Sequence, residues 1–368
     1  MIASGERSDV TIVGGGIAGL ACAWRASRAG LSVTLLERDE LGRGASHVAA
    51  GMLAPVAEAE FGEAGRRLLE LGMRSAALWP AFARELEQAS GTGVDLLPTG
   101  TLVVARDDDE ARELERQLAF RHSLGLPAER LRASAARERE PALAPTVRLA
   151  MEAPGDHCVD PRLVLAALRG ACERAGVAIR EHSPVAALEL DGAGARVNGV
   201  RLAGGERIDA ALVVLAAGAW SAQVEGLPAH ARIAVRPVKG QILRLRDPSG
   251  PGLLRRVLRF QGGYLVPRGD GRYVLGATVE ERGFELAPTA GAVYELLRDA
   301  SELLPGIDEL QIEELSVGLR PGTPDNTPAI GPGAVEGLVW ATGHHRNGIL
   351  LAPLTAELVV EALAGVPA

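Results

Sequence analysis

The chain has 368 residues, with 39 Lys and Arg against 47 Asp and Glu, giving a formal charge of −8. Hydrophobic residues make up 47% and charged ones 23%, which excludes a disordered chain, and the acidic balance provides no general field for nucleic acid or anionic lipid. At roughly 150 residues per domain the length predicts two domains or one large compound one.

Asp9–Val13 is a short apolar run and predicts a buried strand. It enters Gly14-Gly15-Gly16-Ile17-Ala18-Gly19, a G-x-G-x-x-G, after which Leu20 to Ala29 predicts a helix ended by Gly30. A second strand, Ser32 to Leu36, ends at Glu37. In this setting Gly14 permits a tight turn, Gly16 lets the backbone approach a pyrophosphate, and Gly19 lets helix and strand pack closely. The helix start, with Ile17 and Ala18, offers unpaired N–H groups and a positive dipole end to phosphates. Glu37 lies 18 residues beyond Gly19, where an acid accepts hydrogen bonds from ribose hydroxyls. The unit predicts a dinucleotide site and does not separate NAD from FAD.

Arg38 follows, and then Leu41–Pro55, rich in small residues and without formal charge after Arg43. Backbone of this kind suits packing against a large flat ligand more than a surface loop. Residues 64–88 and 107–124 predict amphipathic helices, the second opening on an acidic run that complements the positive dipole end. Ala211–Ser221 predicts a buried strand ending in a glycine turn, and 235–245, 264–267 and 272–276 predict strands separated by turns. Gly318–Gly331 reads as a proline-laden loop with a single arginine, Gly337–Thr342 as a strand, and Gly343–Glu357 as a loop running into a helix.

Cys22, Cys158 and Cys172 form no C-x-x-C and read as small buried hydrophobes in a reducing compartment. The seven histidines show no metal-ligand spacing, so no metal is expected. Residues 1–9 are polar, unlike a cleavable leader. The most apolar stretch, Ala210–Trp220, is well short of the ~18–20 residues of a membrane span. A cytoplasmic protein without a membrane partner is expected.

Ala49–Leu53, Gly263–Arg268, Gly276–Thr278, Gly318–Thr323 and Gly343–Pro353 together carry a resemblance spanning the chain. In these pieces it resembles the D-amino acid oxidase family of FAD-dependent oxidoreductases, and within it the glycine oxidases of thiamine biosynthesis. The resemblance implies an α/β fold: a Rossmann-like FAD-binding domain with an antiparallel-sheet (α+β) substrate domain, their segments interleaved. Residues 1–80, 155–234 and 318–368 would form the first domain, and 81–154 with 235–317 the second. Non-covalent FAD would meet Gly14, Gly16, Ile17, Ala18, Gly19, Glu37, Arg38, Ala45, Ser46, Ala50, Gly51, Met52, Val185 and Gly218. It would also meet the turn after Gly343, through His344, His345, Arg346, Asn347, Gly348, Ile349 and Leu350. The start of the C-terminal helix there would face the reduced flavin with a positive pole.

By the same resemblance Arg320 clamps the substrate carboxylate with two parallel hydrogen bonds, Tyr264 donates to the same group, and Arg346 lies close to substrate and flavin. No side chain is assigned as acid or base. The implied reaction takes a hydride from the amino acid's α-carbon to the flavin, gives an imino acid that water hydrolyses, and passes electrons to O₂ to form hydrogen peroxide. Orientation supplies most of the catalysis. Gly192–Val197 and Gly331–Glu336 lack the last glycine of a second nucleotide motif, so one cofactor is expected. His47 is one position out of register for covalent flavin, and no cysteine lies near the C-terminal loop. Gly262 and Val279 stand where glycine oxidases can carry bulkier side chains, leaving room for sarcosine or small D-amino acids. A dehydrogenase passing electrons to a carrier shares the fold. So does a tRNA-modifying domain, which the negative charge disfavours. A homo-oligomer, tetrameric by analogy, is the family expectation.

Overall fold

Two eight-stranded sheets organise the chain, of which the computed structural model describes residues 8–365. The strands in the first half are β1 (Ser8–Val13), β2 (Val33–Leu36), β3 (Met52–Leu53), β4 (Thr101–Ala105), β5 (Glu129–Arg132), β6 (Leu149–Ala153), β7 (His157–Cys158), β8 (Ala178–Arg180) and β9 (Val185–Leu190). Then come β10 (Val197–Leu202), β11 (Arg207–Leu215), β12 (Arg236–Arg246), β13 (Val257–Phe260), β14 (Gly263–Pro267), β15 (Arg272–Gly276), β16 (Gln311–Gly322), β17 (Ala329–Pro332) and β18 (Leu338–Thr342). The helices are α1 (Ile17–Arg28), α2 (Ala45–Val48), α3 (Gly62–Ser90), α4 (Asp108–Ser123), α5 (Ala133–Arg139), α6 (Pro161–Arg174), α7 (Ala290–Ser301) and α8 (Ala352–Ala364).

The first sheet runs β17-β18-β11-β1-β2-β8, with β10 and β9 added antiparallel on β11. Its centre is parallel: β1 pairs β2 from Val10↔Val33 to Val13↔Leu36, and pairs β11 as far as Val13↔Leu215. Parallel strands are covered on both faces, which is why β1, β2 and β11 are nearly continuous runs of Val, Ile and Leu. One face packs on α1, α3, α6 and α8 around Trp24, Trp79 and Phe82. Cys22 and Cys172 belong to this core, and all three cysteines are free and buried. The parallel strands all deliver their carboxyl ends to one edge, the place where such sheets bind ligands.

The second sheet runs β16-β12-β15-β14-β13-β4-β6-β5. On β12, Leu243 and Leu245 join a core with α5 and α7, while Ile242 faces Ala50 and Tyr264 on the opposite side. The alternation of a strand therefore places Gly240, Ile242 and Arg244 towards the first sheet.

The structure departs from the expected elements at several points. Helix α1 begins at Ile17, three residues earlier than expected, because Gly16 already has the extended backbone of an N-cap. Residues 318–322 belong to β16, paired with β12 from Gly322↔Arg236 to Gly318↔Gly240, and not to a loop. Pro321 is tolerated there because β16 is an edge strand. The domain boundaries expected at 80/81 and 317/318 thus fall inside α3 and β16. Among the described residues, no helix is long and apolar enough to cross a membrane, and no cluster of three metal-ligating side chains occurs.

Candidate active site

A cavity of about 690 Å³ lies between the sheets, at the carboxyl ends of β1, β2, β11 and β18. Its nucleotide end is made by the glycine turn. Gly14 has φ +106°, and a Cβ there would stand 2.5 Å from the Ala216 carbonyl oxygen. Among the described residues, the N–H groups of Gly16 and Ala18 have no acceptor, as expected at a helix start. That of Ile17 donates to Ser46 Oγ at 3.0 Å. Glu37 closes the end of β2, where its carboxylate accepts from the N–H groups of Gly15 (2.6 Å) and Asp39 (3.0 Å). The Arg38 guanidinium lies 3.6 Å over the Trp220 ring, a cation–π contact that joins the β2 end to the turn after β11.

Gly14, Gly16, Ile17, Ala18, Glu37, Arg38, Ala45, Ser46, Ala50, Gly51, Met52, Val185 and Gly218 line the cavity, as do His344, His345, Arg346, Gly348, Ile349, Tyr264 and Arg320. Three expected contact residues do not. Gly19 packs instead against β1: a Cβ would meet the Gly14 carbonyl oxygen at 1.9 Å. Asn347 lines a separate small pocket together with Pro55 and Leu69. Leu350 is buried in the core, where its carbonyl accepts from Ser75 Oγ (2.6 Å) and Trp79 Nε1 (2.9 Å) of α3. His47 also lies off the cavity wall.

The turn after Gly343 does not open the C-terminal helix directly. His345–Asn347 form a short 3₁₀ turn, His345 has φ 47°, and α8 starts at Ala352. In place of a helix start the turn presents the N–H group of Ile349, which lines the cavity and has no acceptor among the described residues. The turn is tied to α8 by buried His344, whose Nε2 lies 2.9 Å from Thr355 Oγ1. Burial pushes the His344 imidazole down to about 4. His345 also falls to about 4, first through burial and then through the charges of Arg320 and Arg346.

At the other end, Arg320 reaches from β16 across β12. Its Nη1 donates to the carbonyls of Thr278 (3.1 Å) and Lys239 (3.4 Å). Thr278 is in place because Lys239 and Glu280 pair through both backbone groups, at 2.9 and 3.0 Å. The space over β12 exists because residue 240 is glycine: a Cβ would meet Arg320 Nη1 at 2.4 Å. Tyr264, on β14, brings its hydroxyl over Gly276, where a Cβ would stand 2.8 Å from it. Burial pushes the Tyr264 phenol up, and Arg320 opposes this. Arg346 pairs with Glu60 at 2.5 Å and lies 3.8 Å from Glu58; these acids hold its guanidinium above the ordinary range. Gly262 and Val279 are on the wall, Val279 being 71% exposed. Among the lining residues that escaped the sequence reading are Glu58, which sits in no motif, and Arg259, whose only signal was a charge inside the apolar strand Val257–Phe260.

The glycine cradle, the unpaired N–H groups at the start of α1 and at Ile349, and an acid at the end of β2 fit FAD. These features define a dinucleotide-binding flavoprotein in which a second sheet closes the other end of the cavity. The sequence matches the FAD dependent oxidoreductase (DAO) family over residues 9–362, and the chain belongs to that family. It is similar to the glycine oxidase of Geobacillus kaustophilus, with 36% identity over 97% of this chain and 93% of the relative. It is also similar to the bifunctional protein ThiO/ThiG of Trichormus variabilis, at 38% identity over 96% of this chain but only 52% of that longer relative. The crystal structure of the Geobacillus kaustophilus glycine oxidase superposes with a TM-score of 0.90 at 34% identity, covering 98% of this chain and 96% of that one.

Proposed function

We propose that this chain oxidises glycine, or another small primary or secondary amino acid, to the imino acid with O₂ as acceptor, in thiamine biosynthesis. The observation that carries the reading is the convergence of Arg320 and Tyr264 on one wall of the cavity, facing the 344–349 turn. When bound, FAD supplies the two-electron acceptor for the amino acid's Cα–H bond and returns the electrons to oxygen. Arg320 binds the carboxylate, with its guanidinium already oriented by two backbone carbonyls, and Tyr264 adds a hydroxyl donor. Orienting the substrate is the protein's main contribution, since a fixed carboxylate leaves the α-carbon one direction to face.

The residues that would hold FAD are those of the glycine turn, Glu37, Arg38, the 45–52 segment, Val185, Gly218 and the 344–349 turn. The two sheets divide into a cofactor lobe and a substrate lobe in this reading, with a cytoplasmic setting and a homo-oligomer. The exposed Val279 and the bare Gly262 favour substrates larger than glycine alone. The test is peroxide yield and anaerobic bleaching of the bound flavin with glycine, sarcosine, D-alanine and D-proline. Stoichiometric peroxide with at least one of them is expected; bleaching without peroxide would point to a dehydrogenase, and no bleaching by any would overturn the reading.

A further inference from the structure

A carboxylate clamp accounts for only part of the charge at the substrate end. Arg320, Arg346 and Arg259 line it together with one acid, Glu58; the other lining acids, Glu37, Asp39 and Glu40, belong to the β2 end. The Glu58 side chain is 11% exposed, with Oε1 3.3 Å from Arg259 Nη1 and Oε2 3.8 Å from Arg346 Nε. Neither approach is a hydrogen bond. Arg259 Nη1 donates instead to the Ala57 carbonyl at 3.1 Å, and 3.8 Å is beyond hydrogen-bond range. Among the described residues, no donor satisfies either oxygen. An ionised carboxylate offers about four acceptor positions, so Glu58 keeps acceptor capacity at the cavity wall.

The backbone just before Glu58 is held from three elements. Arg121 of α4, itself 1% exposed, donates from Nε to the Val56 carbonyl and from Nη2 to that of Ala57, both at 2.8 Å. Asp156, between β6 and β7, accepts from the N–H groups of Val56 (3.2 Å) and Ala57 (2.6 Å). Arg259 of β13 adds the third hold. Arg259 is the direct cross-strand partner of Tyr264, so the clamped loop and the proposed carboxylate site share one frame. Buried charged groups that fix a short loop in this way are what a preorganised binding group requires.

We propose that Glu58 binds the amine of the substrate, accepting hydrogen bonds from its N–H groups while Arg320 and Tyr264 hold the carboxylate. This rests on the oxidase reading above and deepens it. A site with an acceptor at one end and guanidinium at the other takes α-amino acids that keep at least one N–H. It discriminates against carboxylates without an amine. Arg259 and Arg346 balance the charge of Glu58 without occupying its lone pairs.

The test uses the FAD-loaded enzyme and the variant Glu58→Gln, which keeps the volume and removes the charge. Two quantities are compared: KM for glycine (or the best amine of the panel), and the Kd of acetate, a carboxylate without an amine, read from perturbation of the flavin spectrum. Loss of a charge-assisted hydrogen bond predicts a KM raised roughly 10- to 100-fold, with the acetate Kd held within about twofold if Arg320 is undisturbed. Glu58→Asp should recover part of the amine affinity, and it carries the same comparison if Glu58→Gln releases flavin. An unchanged amine KM would overturn the proposal. So would an acetate Kd rising in step with KM, since Glu58 would then act only through the arginines. Failure of the wild-type enzyme to oxidise any amine would instead end the oxidase reading.

Discussion

Gly240 gives the sharpest test of how Arg320 is held. Its backbone lies outside the left-handed region, so alanine is conformationally allowed there, but the added Cβ would fall 2.4 Å from Arg320 Nη1 and 2.5 Å from Nη2. The neighbour is the far end of a flexible side chain, so the guanidinium moves and the strand does not. A displaced guanidinium loses its bonds to Thr278 and Lys239 and its alignment with a bound carboxylate, while the positive charge stays in the cavity. Each charge-assisted hydrogen bond is worth about 1.5–3 kcal/mol. Losing one of two in Gly240→Ala predicts KM up roughly 10- to 100-fold, and losing both in Arg320→Ala roughly 10²- to 10⁴-fold. The assay is peroxide production against substrate concentration, with the bound-flavin absorbance and melting temperature measured in parallel. Both variants should stay yellow with near-native melting. A normal KM in Gly240→Ala would refute the reasoning, because the carboxylate would then be held elsewhere. Loss of flavin from Arg320→Ala would move that residue from the substrate to the cofactor.

Further outcomes follow from the same geometry. Gly19→Ala puts a Cβ 1.9 Å from the Gly14 carbonyl oxygen; α1 cannot then approach β1, and the purified protein should be colourless or unfolded, as absorbance and circular dichroism would report. Tyr264→Phe removes one donor while keeping the ring over Gly276, so glycine KM should rise about 3- to 10-fold with flavin content unchanged. His344 is neutral when folded, with its pKa lowered from 6.5 to about 4. The unfolded chain takes up that proton first. Its stability contribution is therefore complete above pH 6.5 and is lost as pH falls from 6.5 to about 4, amounting to about 3 kcal/mol. Urea unfolding at several pH values should show the decline, and His344→Gln should flatten it relative to the wild type; parallel curves would refute the assignment.

The cofactor half was legible because its chemistry is local. Turn, close approach and helix packing at Gly14, Gly16 and Gly19 are set by residues within one βαβ unit, and Glu37 follows at the end of the next strand. Even there, hydrophobicity alone could not separate a wall from a core. Leu350 looks like Ile349 in sequence, and only the two donors on α3 decide that its carbonyl faces inward. The expected helix start after Gly343 failed for a similar reason: the left-handed backbone of His345 has no marker, since histidine adopts it without being glycine.

The proposed substrate side depends on contacts distant along the chain. Pro321 and Gly322 read as breakers, and they break nothing at the open edge of a sheet. Arg320 therefore projects from a paired strand, whose neighbour Gly240 is 80 residues away. Glu58 belongs to Ala-Pro-Val-Ala-Glu-Ala-Glu, a segment without periodicity. Its setting arises only when α4, the 156 turn and β13 close on it. Motifs can mark an FAD site because every FAD presents the same diphosphate and ring. The wall around Glu58 is built from unremarked positions brought together by the fold, where the consequences of Glu58→Gln have to be measured.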